Sequence, residues 1–126
     1  MGAVFAAGVK KTVIAVVQVV GFHAWPNAPR EVRYLSHPHR HVFTFRVEFD
    51  VTEDRQVEFH LAQRSVRETI DLLWDGGEVR EYDFGERSCE TIASEVGERM
   101  RVPGGYRPSA VEVWEDSENG ARVEWS

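Results

Sequence analysis

Cysteine is nearly absent from this chain of 126 residues, which contains only Cys89. A lone cysteine cannot form an internal disulfide, whereas small secreted domains commonly depend on several. The sequence therefore excludes a disulfide-stapled fold and favours a reducing, cytoplasmic setting. Cys89 lies near a predicted helix N-terminus, where a thiol pKa can fall, but a lone cysteine is usually inert. Both interpretations of Cys89 stay open.

An excess of positive charge is also missing. The chain has 21 acidic and 15 basic residues, which gives a formal net charge of −6. A negative surface repels the phosphate backbone of DNA and RNA. We therefore expect no nucleic-acid partner.

No apolar run is long enough for a membrane span. The stretch from Ala3 to Phe22 is largely apolar, but Lys10 and Lys11 divide it. The remainder, Thr12–Phe22, falls well short of the roughly twenty residues that a spanning helix needs. It also lacks the small-residue cleavage site of a signal peptide. We expect no membrane partner. The many valines favour a strand that is buried on both faces or lies in a subunit interface.

Length and composition are those of one folded domain. Hydrophobic residues make up 42% of the chain and charged residues 29%, which is ordinary for a globular protein. We predict a single domain over residues 1–126, with an extra or flexible segment at about residues 1–10.

Alternating patterns predict four strands. Apolar and polar residues alternate over Val42–Val51, as in a strand with one buried face. Thr12–Phe22 is the valine-rich first strand. Ala110–Trp114 and Ala121–Trp125 flank a turn-rich segment and predict a hairpin.

Two helices are predicted between these strand pairs. Apolar residues recur at helical spacing over Glu58–Trp74. Ser88 can cap a second helix that runs to about Met100, with Glu90 near its positive end. The resulting order, β-β-α-α-β-β, indicates an α+β fold.

Histidines cluster before the second strand. His37, His39 and His41 alternate, which places their imidazoles on one face. Three histidines with a fourth position open to water or substrate form a common catalytic zinc site. His23 ends the first strand and can complete a site with two of these histidines; the alternative is a surface cluster without a function. His60 is interpreted as a packing or hydrogen-bonding histidine.

One carboxylate has a chemical interpretation of its own. Glu115 ends an alternating strand, where it could accept paired N–H groups from a heterocycle. The alternative is a solvated hairpin carboxylate beside Asp116 and Glu118. From the residues alone, both remain open.

The histidine motif resembles a known enzyme family. His39–Phe43 is similar to the His-Gly-His-Asn-Tyr motif of the 6-pyruvoyltetrahydropterin and 6-carboxytetrahydropterin synthases, which have the tunnelling fold (T-fold). The first zinc histidine of that family closes strand one, as His23 does here. Val57–Phe59 resembles the Val-Asp-Phe element of the family, and Arg87–Glu90 resembles its Pro-Thr-Ser-Glu helix start. Glu115–Asp116 resembles the Glu-Thr pair that contains its pterin-anchoring glutamate.

This resemblance implies a fold, a cofactor and an assembly. The T-fold has a four-stranded antiparallel sheet with two helices on one face, and it oligomerises into a barrel, commonly a hexamer of two stacked trimers. The family is zinc-dependent and acts on pterin-like or purine-like small molecules. By resemblance, the zinc ligands are His23, His39 and His41, and the substrate-binding residues are Glu115, Glu90 and Cys89.

The catalytic residues of the family are not matched. Leu35 stands where the family has its cysteine, and Leu73–Gly77 contains an aspartate but no histidine where the family has Leu-Asp-His. His37 is the candidate replacement base, with Glu31 and Ser36 as neighbours that could also serve. We therefore expect a zinc-dependent lyase of this type, or alternatively a non-catalytic T-fold protein that binds a heterocycle or only assembles.

Overall fold

The structure, a computed structural model, describes residues 8–126. The first seven residues of the predicted N-terminal segment lie outside this range. The strands are β1 (Lys11–His23), β2 (His39–Val51), β3 (Glu81–Asp83), β4 (Ala110–Glu115) and β5 (Asn119–Glu124). The helices are a short 3-10 helix (Arg30–Ser36), α1 (Phe59–Trp74) and α2 (Cys89–Met100). The fold is α+β, as predicted.

The first two strands form a long antiparallel hairpin. Lys11 pairs with Val51 at its open end, and His23 pairs with His39 where the chain leaves β1. The second strand begins earlier than predicted, so His39 and His41 lie within β2, whereas His37 lies just before it. The strand register therefore fixes where their side chains stand.

The sheet has five strands, in the order β3-β1-β2-β4-β5, and not the predicted four. The extra strand, β3, has three residues and runs parallel to β1. It is too short to show an alternating pattern, so it could not be predicted from the sequence. Gly21 permits its close approach, because a Cβ there would lie 2.5 Å from the Phe84 ring. The sheet is consequently mixed and not purely antiparallel.

Both helices pack on one face of the sheet. Ser88 caps α2 by accepting a hydrogen bond from the Thr91 amide, as predicted. Glu58 caps α1 through the amides of His60 and Leu61. The core between helices and sheet is rich in phenylalanine, and each fully buried ring contributes about 2 kcal/mol or more; these rings are Phe43, Phe45, Phe49 and Phe84.

The opposite face of the sheet carries paired charges. Glu48 and Glu112 are each only 9% exposed, and Arg122 lies 2.6 Å from an oxygen of each. Arg46 contacts the same two carboxylates at 2.5 and 3.0 Å. We call these four residues the outer-face ion network. Hydrogen bonding to Arg122 holds the pKa of Glu48 below its usual value, although burial opposes this.

The valine-rich strand is buried on one face within a single chain. Ala15 and Val17 point into the core, whereas Ile14 and Val16 are 40% and 41% exposed. Burial on both faces is therefore not achieved within the single chain. Within residues 8–126, no helix has the length and apolarity to cross a membrane.

Candidate metal centre

Three histidines meet where β1 ends and β2 begins. His23 and His39 are direct partners across the two strands, and His41 follows on the same face. Their ring centroids are 4.5 to 5.4 Å apart. One ring nitrogen from each lies within 4.8 Å of the others. The prediction that these side chains converge is confirmed.

A different acceptor holds the Nδ1 atom of each histidine. His23 Nδ1 is 2.9 Å from the carbonyl oxygen of Arg87, and His39 Nδ1 is 2.9 Å from that of His37. His41 Nδ1 is 2.6 Å from Oδ2 of Asp116. A carbonyl or carboxylate oxygen can only accept, so each Nδ1 must donate its proton. Each neutral imidazole then presents a free lone pair on Nε2, the arrangement that metal-binding histidines use.

Two of the three Nε2 atoms lack a hydrogen-bond partner among the described residues. Those of His23 and His41 are buried and make no hydrogen bond to any described residue. A buried polar atom without a partner costs about 1–3 kcal/mol, so it needs an explanation in a native protein. Nitrogen lone pairs that converge in a partly buried site fit zinc, which prefers imidazole nitrogen and thiolate sulfur.

Glu115 lies beside these nitrogens. Its Oε2 is 3.0 Å from His23 Nε2 and its Oε1 is 3.5 Å from His41 Nε2, in both cases without the angle of a hydrogen bond. The His23 imidazole lowers the pKa of Glu115, although burial opposes the shift. Burial disfavours a charge on His23, but the nearby carboxylate and the Arg87 carbonyl outweigh it, so the pKa of His23 is raised.

A cavity of about 470 Å³ opens next to the histidines, a volume within the range of small-molecule sites. The three predicted substrate-binding residues, Glu115, Glu90 and Cys89, all line it, together with His23 and His39. The structure thus brings the predicted substrate-binding residues and two of the three predicted metal ligands to one cavity. Among the described residues that sequence reasoning missed, Trp25 and Glu86 also line it.

Cys89 is not arranged as a nucleophile. Its thiol is buried and lies 3.5 Å from Oε2 of Glu115, to which it donates. Burial, together with the negative charge of Glu115, raises the pKa of Cys89 to about 12. The thiol therefore stays protonated near neutral pH and acts as a weak hydrogen-bond donor. The possibility that the helix N-terminus lowers this pKa is overruled by burial.

Other predicted residues lie in different places. The backbone carbonyl of His37 accepts a hydrogen bond from His39 Nδ1, and His37 does not line the cavity. Leu35, at the position of the family cysteine, does line it. His60 was predicted to be a packing or hydrogen-bonding histidine. Its side chain is 89% exposed, so it does not pack in the core, and its Nδ1 lies 3.7 Å from Oε2 of Glu58. It stands at the start of α1, where the cap exposes it to solvent.

Asp116 contacts the candidate site in a way that sequence reasoning missed. It was grouped with the solvated carboxylates of the hairpin, but its side chain bonds His41 Nδ1 and the Val42 amide. Only the β2–β4 register, which sets Phe43 opposite Glu115, could have indicated this contact.

Comparisons with known proteins show the fold. No protein-family model and no curated protein matches the sequence. Among solved structures, the 6-pyruvoyl tetrahydropterin synthase of Caenorhabditis elegans is 13% identical, with a TM-score of 0.61; the match covers 93% of this chain and 96% of that one. An uncharacterized protein, WS1659 of Wolinella succinogenes, is 18% identical with a TM-score of 0.66; the match covers 94% of this chain and 100% of that one. The chain therefore has the T-fold of the 6-pyruvoyltetrahydropterin synthases.

Proposed function

We propose that this protein is a zinc-dependent T-fold enzyme that acts on a pterin-like or purine-like small molecule. The observation that supports this most is the convergence of three histidines whose Nδ1 atoms are all held by acceptors. His23, His39 and His41 would hold the zinc. Bound zinc supplies a Lewis acid that polarises a substrate oxygen.

Glu115 is proposed as the anchor of the heterocycle. Its lowered pKa keeps it ionised near neutral pH, and an ionised carboxylate can accept two parallel N–H groups from an amino-pyrimidine edge. The Cys89 thiol donates to the same carboxylate and helps to orient it. Glu90 lies at the cavity wall on the first turn of α2.

Three residues are candidates for the catalytic base. His37 stays a prediction, although the structure uses its carbonyl and not its ring at the metal centre. The lining carboxylates Glu86 and Glu90 are within the cavity itself. Leu35 has no group that could act as a nucleophile or base, and the raised pKa of Cys89 keeps its thiol protonated near neutral pH.

The second candidate is a T-fold protein that binds a heterocycle without converting it. The specific observation in its favour is Leu35, an inert side chain that lines the cavity at the position of the family cysteine. Such a protein would keep the metal centre and the Glu115 anchor. The lone cysteine supports a cytoplasmic setting for either function.

A ligand screen tests the proposed function. We expect pterins or purines to raise the Tm of the zinc-loaded protein, since a ligand at a hundred times its Kd stabilises the folded state by about 2.7 kcal/mol. Turnover of a reduced-pterin triphosphate would identify the enzyme, and a Tm shift without turnover of any binder would favour the second candidate. If no member of either class raises the Tm, the proposed ligand class is wrong.

We also propose a homo-oligomer, with a hexamer of two stacked trimers as the form implied by the resembled family. The open sheet has two edges, and barrel closure between subunits would remove them. The exposed Ile14 and Val16 on the outer face of β1 are available for burial in such an assembly. Light scattering at micromolar concentration should give a mass near six chains. A mass of one chain would contradict the assembly.

A further inference from the structure

We propose that Asp116 is a positioning residue of the metal centre, which holds His41 in the tautomer that binds zinc. This inference rests on the proposed zinc site. It concerns a residue at which this chain departs from the Glu-Thr pair of the resembled family. It also gives the β4–β5 hairpin a part in metal binding, although the hairpin provides no ligand itself.

Both carboxylate oxygens of Asp116 form hydrogen bonds with residues of β2. Oδ2 lies 2.6 Å from His41 Nδ1, and Oδ1 accepts the Val42 amide at 2.9 Å. The backbone joins the same strand, because the Asp116 amide donates to the Val42 carbonyl at 2.9 Å. Two hydrogen bonds of the carboxylate and one of the backbone therefore hold Asp116 against one segment of β2. A charged acceptor this close to Nδ1 makes the Nδ1-protonated form the stable one.

The backbone conformation at Asp116 is a second argument for a specific role of this residue. Asp116 and Ser117 have positive φ values of 51° and 57°, a region where glycine and asparagine are the easiest residues to place. The hairpin alone would accept either of those residues. Glycine would lose both side-chain bonds to β2, and asparagine would lose the negative charge. Aspartate is the residue that combines the turn conformation with an acceptor-only group facing His41.

The other two histidines are held differently. His23 and His39 donate to backbone carbonyls, which no substitution of a side chain removes. His41 alone depends on a side chain for its tautomer among the three. A single substitution can therefore test this tautomer without altering a metal ligand.

Asp116→Asn is the informative variant. Its amide oxygen can still accept the Val42 N–H, and asparagine tolerates a positive φ, so the hairpin should fold. Its NH₂ group, however, would face His41 Nδ1 as a donor. The favoured tautomer would then carry the proton on Nε2, where it blocks the metal. Loss of such an outer partner typically weakens metal affinity 10- to 100-fold.

The experiment measures two quantities on the full chain. Zinc affinity is determined by competition with a chromogenic chelator, and the His41 tautomer is determined in metal-free protein by long-range ¹H–¹⁵N correlation. We expect Asp116→Asn to bind zinc 10- to 100-fold more weakly and to move the His41 proton from Nδ1 to Nε2. The exposed Glu118→Gln, which removes the same charge from the same hairpin, should change zinc affinity less than twofold.

The outcomes separate this inference from the proposed function. If wild-type protein takes up no zinc, the proposed function fails and this inference fails with it. If the wild type binds zinc and Asp116→Asn binds it equally well, only the role of Asp116 is refuted. Asp116→Ala provides a second variant: it leaves Nδ1 without the carboxylate, so its zinc affinity should also fall, and an unchanged affinity would count against the inference. A tautomer that stays on Nδ1 in Asp116→Asn would do the same.

Discussion

Replacing His39 by alanine should reduce the zinc content of the purified protein from about one ion per chain to less than a tenth of that. The wild-type site offers three converging imidazole nitrogens, and the Nε2 atoms of His23 and His41 are buried without a hydrogen-bond partner among the described residues. Removal of one leaves two, which is fewer than the three protein ligands of a catalytic zinc site. Elemental analysis after dialysis against trace zinc measures the effect.

The matched control is His60→Ala. His60 is also a histidine, but its side chain is 89% exposed at the start of α1 and it contacts no member of the site. The zinc content of the His60→Ala variant should equal that of the wild type. Wild-type protein that contains no stoichiometric metal, and binds none on titration, would overturn the zinc centre altogether.

Replacing Glu115 by glutamine should weaken binding of the identified heterocycle at least about tenfold, with zinc content unchanged. The amide keeps the size of the side chain but turns one acceptor into a donor that faces the N–H groups of the ring. An unpaired buried polar pair of this kind costs roughly 1–3 kcal/mol, and 1.4 kcal/mol corresponds to tenfold in Kd. Calorimetric titration of zinc-loaded protein measures the affinity.

The zinc content of the Glu115 variant decides between two roles. Because Oε2 is 3.0 Å from His23 Nε2, the carboxylate is close enough to the metal centre for a ligand role to be a real alternative. If Glu115→Gln loses its zinc, Glu115 acts as a ligand and not as the ring anchor. If the variant binds the heterocycle as tightly as wild type, the anchor role is wrong.

The pairing of β1 with β2 and the convergence of the three histidines could be predicted because their signals are local. Alternation over Val42–Val51 fixes which side chains share a face, and His39 and His41 fall on that face two residues apart. His23 needed one further inference, that the first strand pairs with the second across the loop that joins them. The observed His23–His39 pairing confirms it.

The groups that hold the histidines could not be predicted, because their signals are not local. Asp116 reaches His41 from 75 positions along the chain, and Arg87 supplies only a backbone carbonyl, which has no sequence signature. Arg87 is in turn held by its amide, which donates to the carbonyl of Phe84 just after β3, and by a 2.5 Å contact of its side chain with Glu95. A three-residue strand depends on tertiary contacts for its existence, so propensity could not reveal it.

The two edge strands of the sheet, β3 and β5, affect which strands from other chains can add to it. At one end, β3 offers only three residues of backbone for an incoming strand. At the other, β5 carries Arg122 and Glu124, which pair with each other at 2.6 Å. Short and charged edges discourage unselective strand addition. A free chain therefore offers little edge backbone for unselective pairing at β3, and a strand that adds beside β5 has to accommodate the Arg122–Glu124 pair.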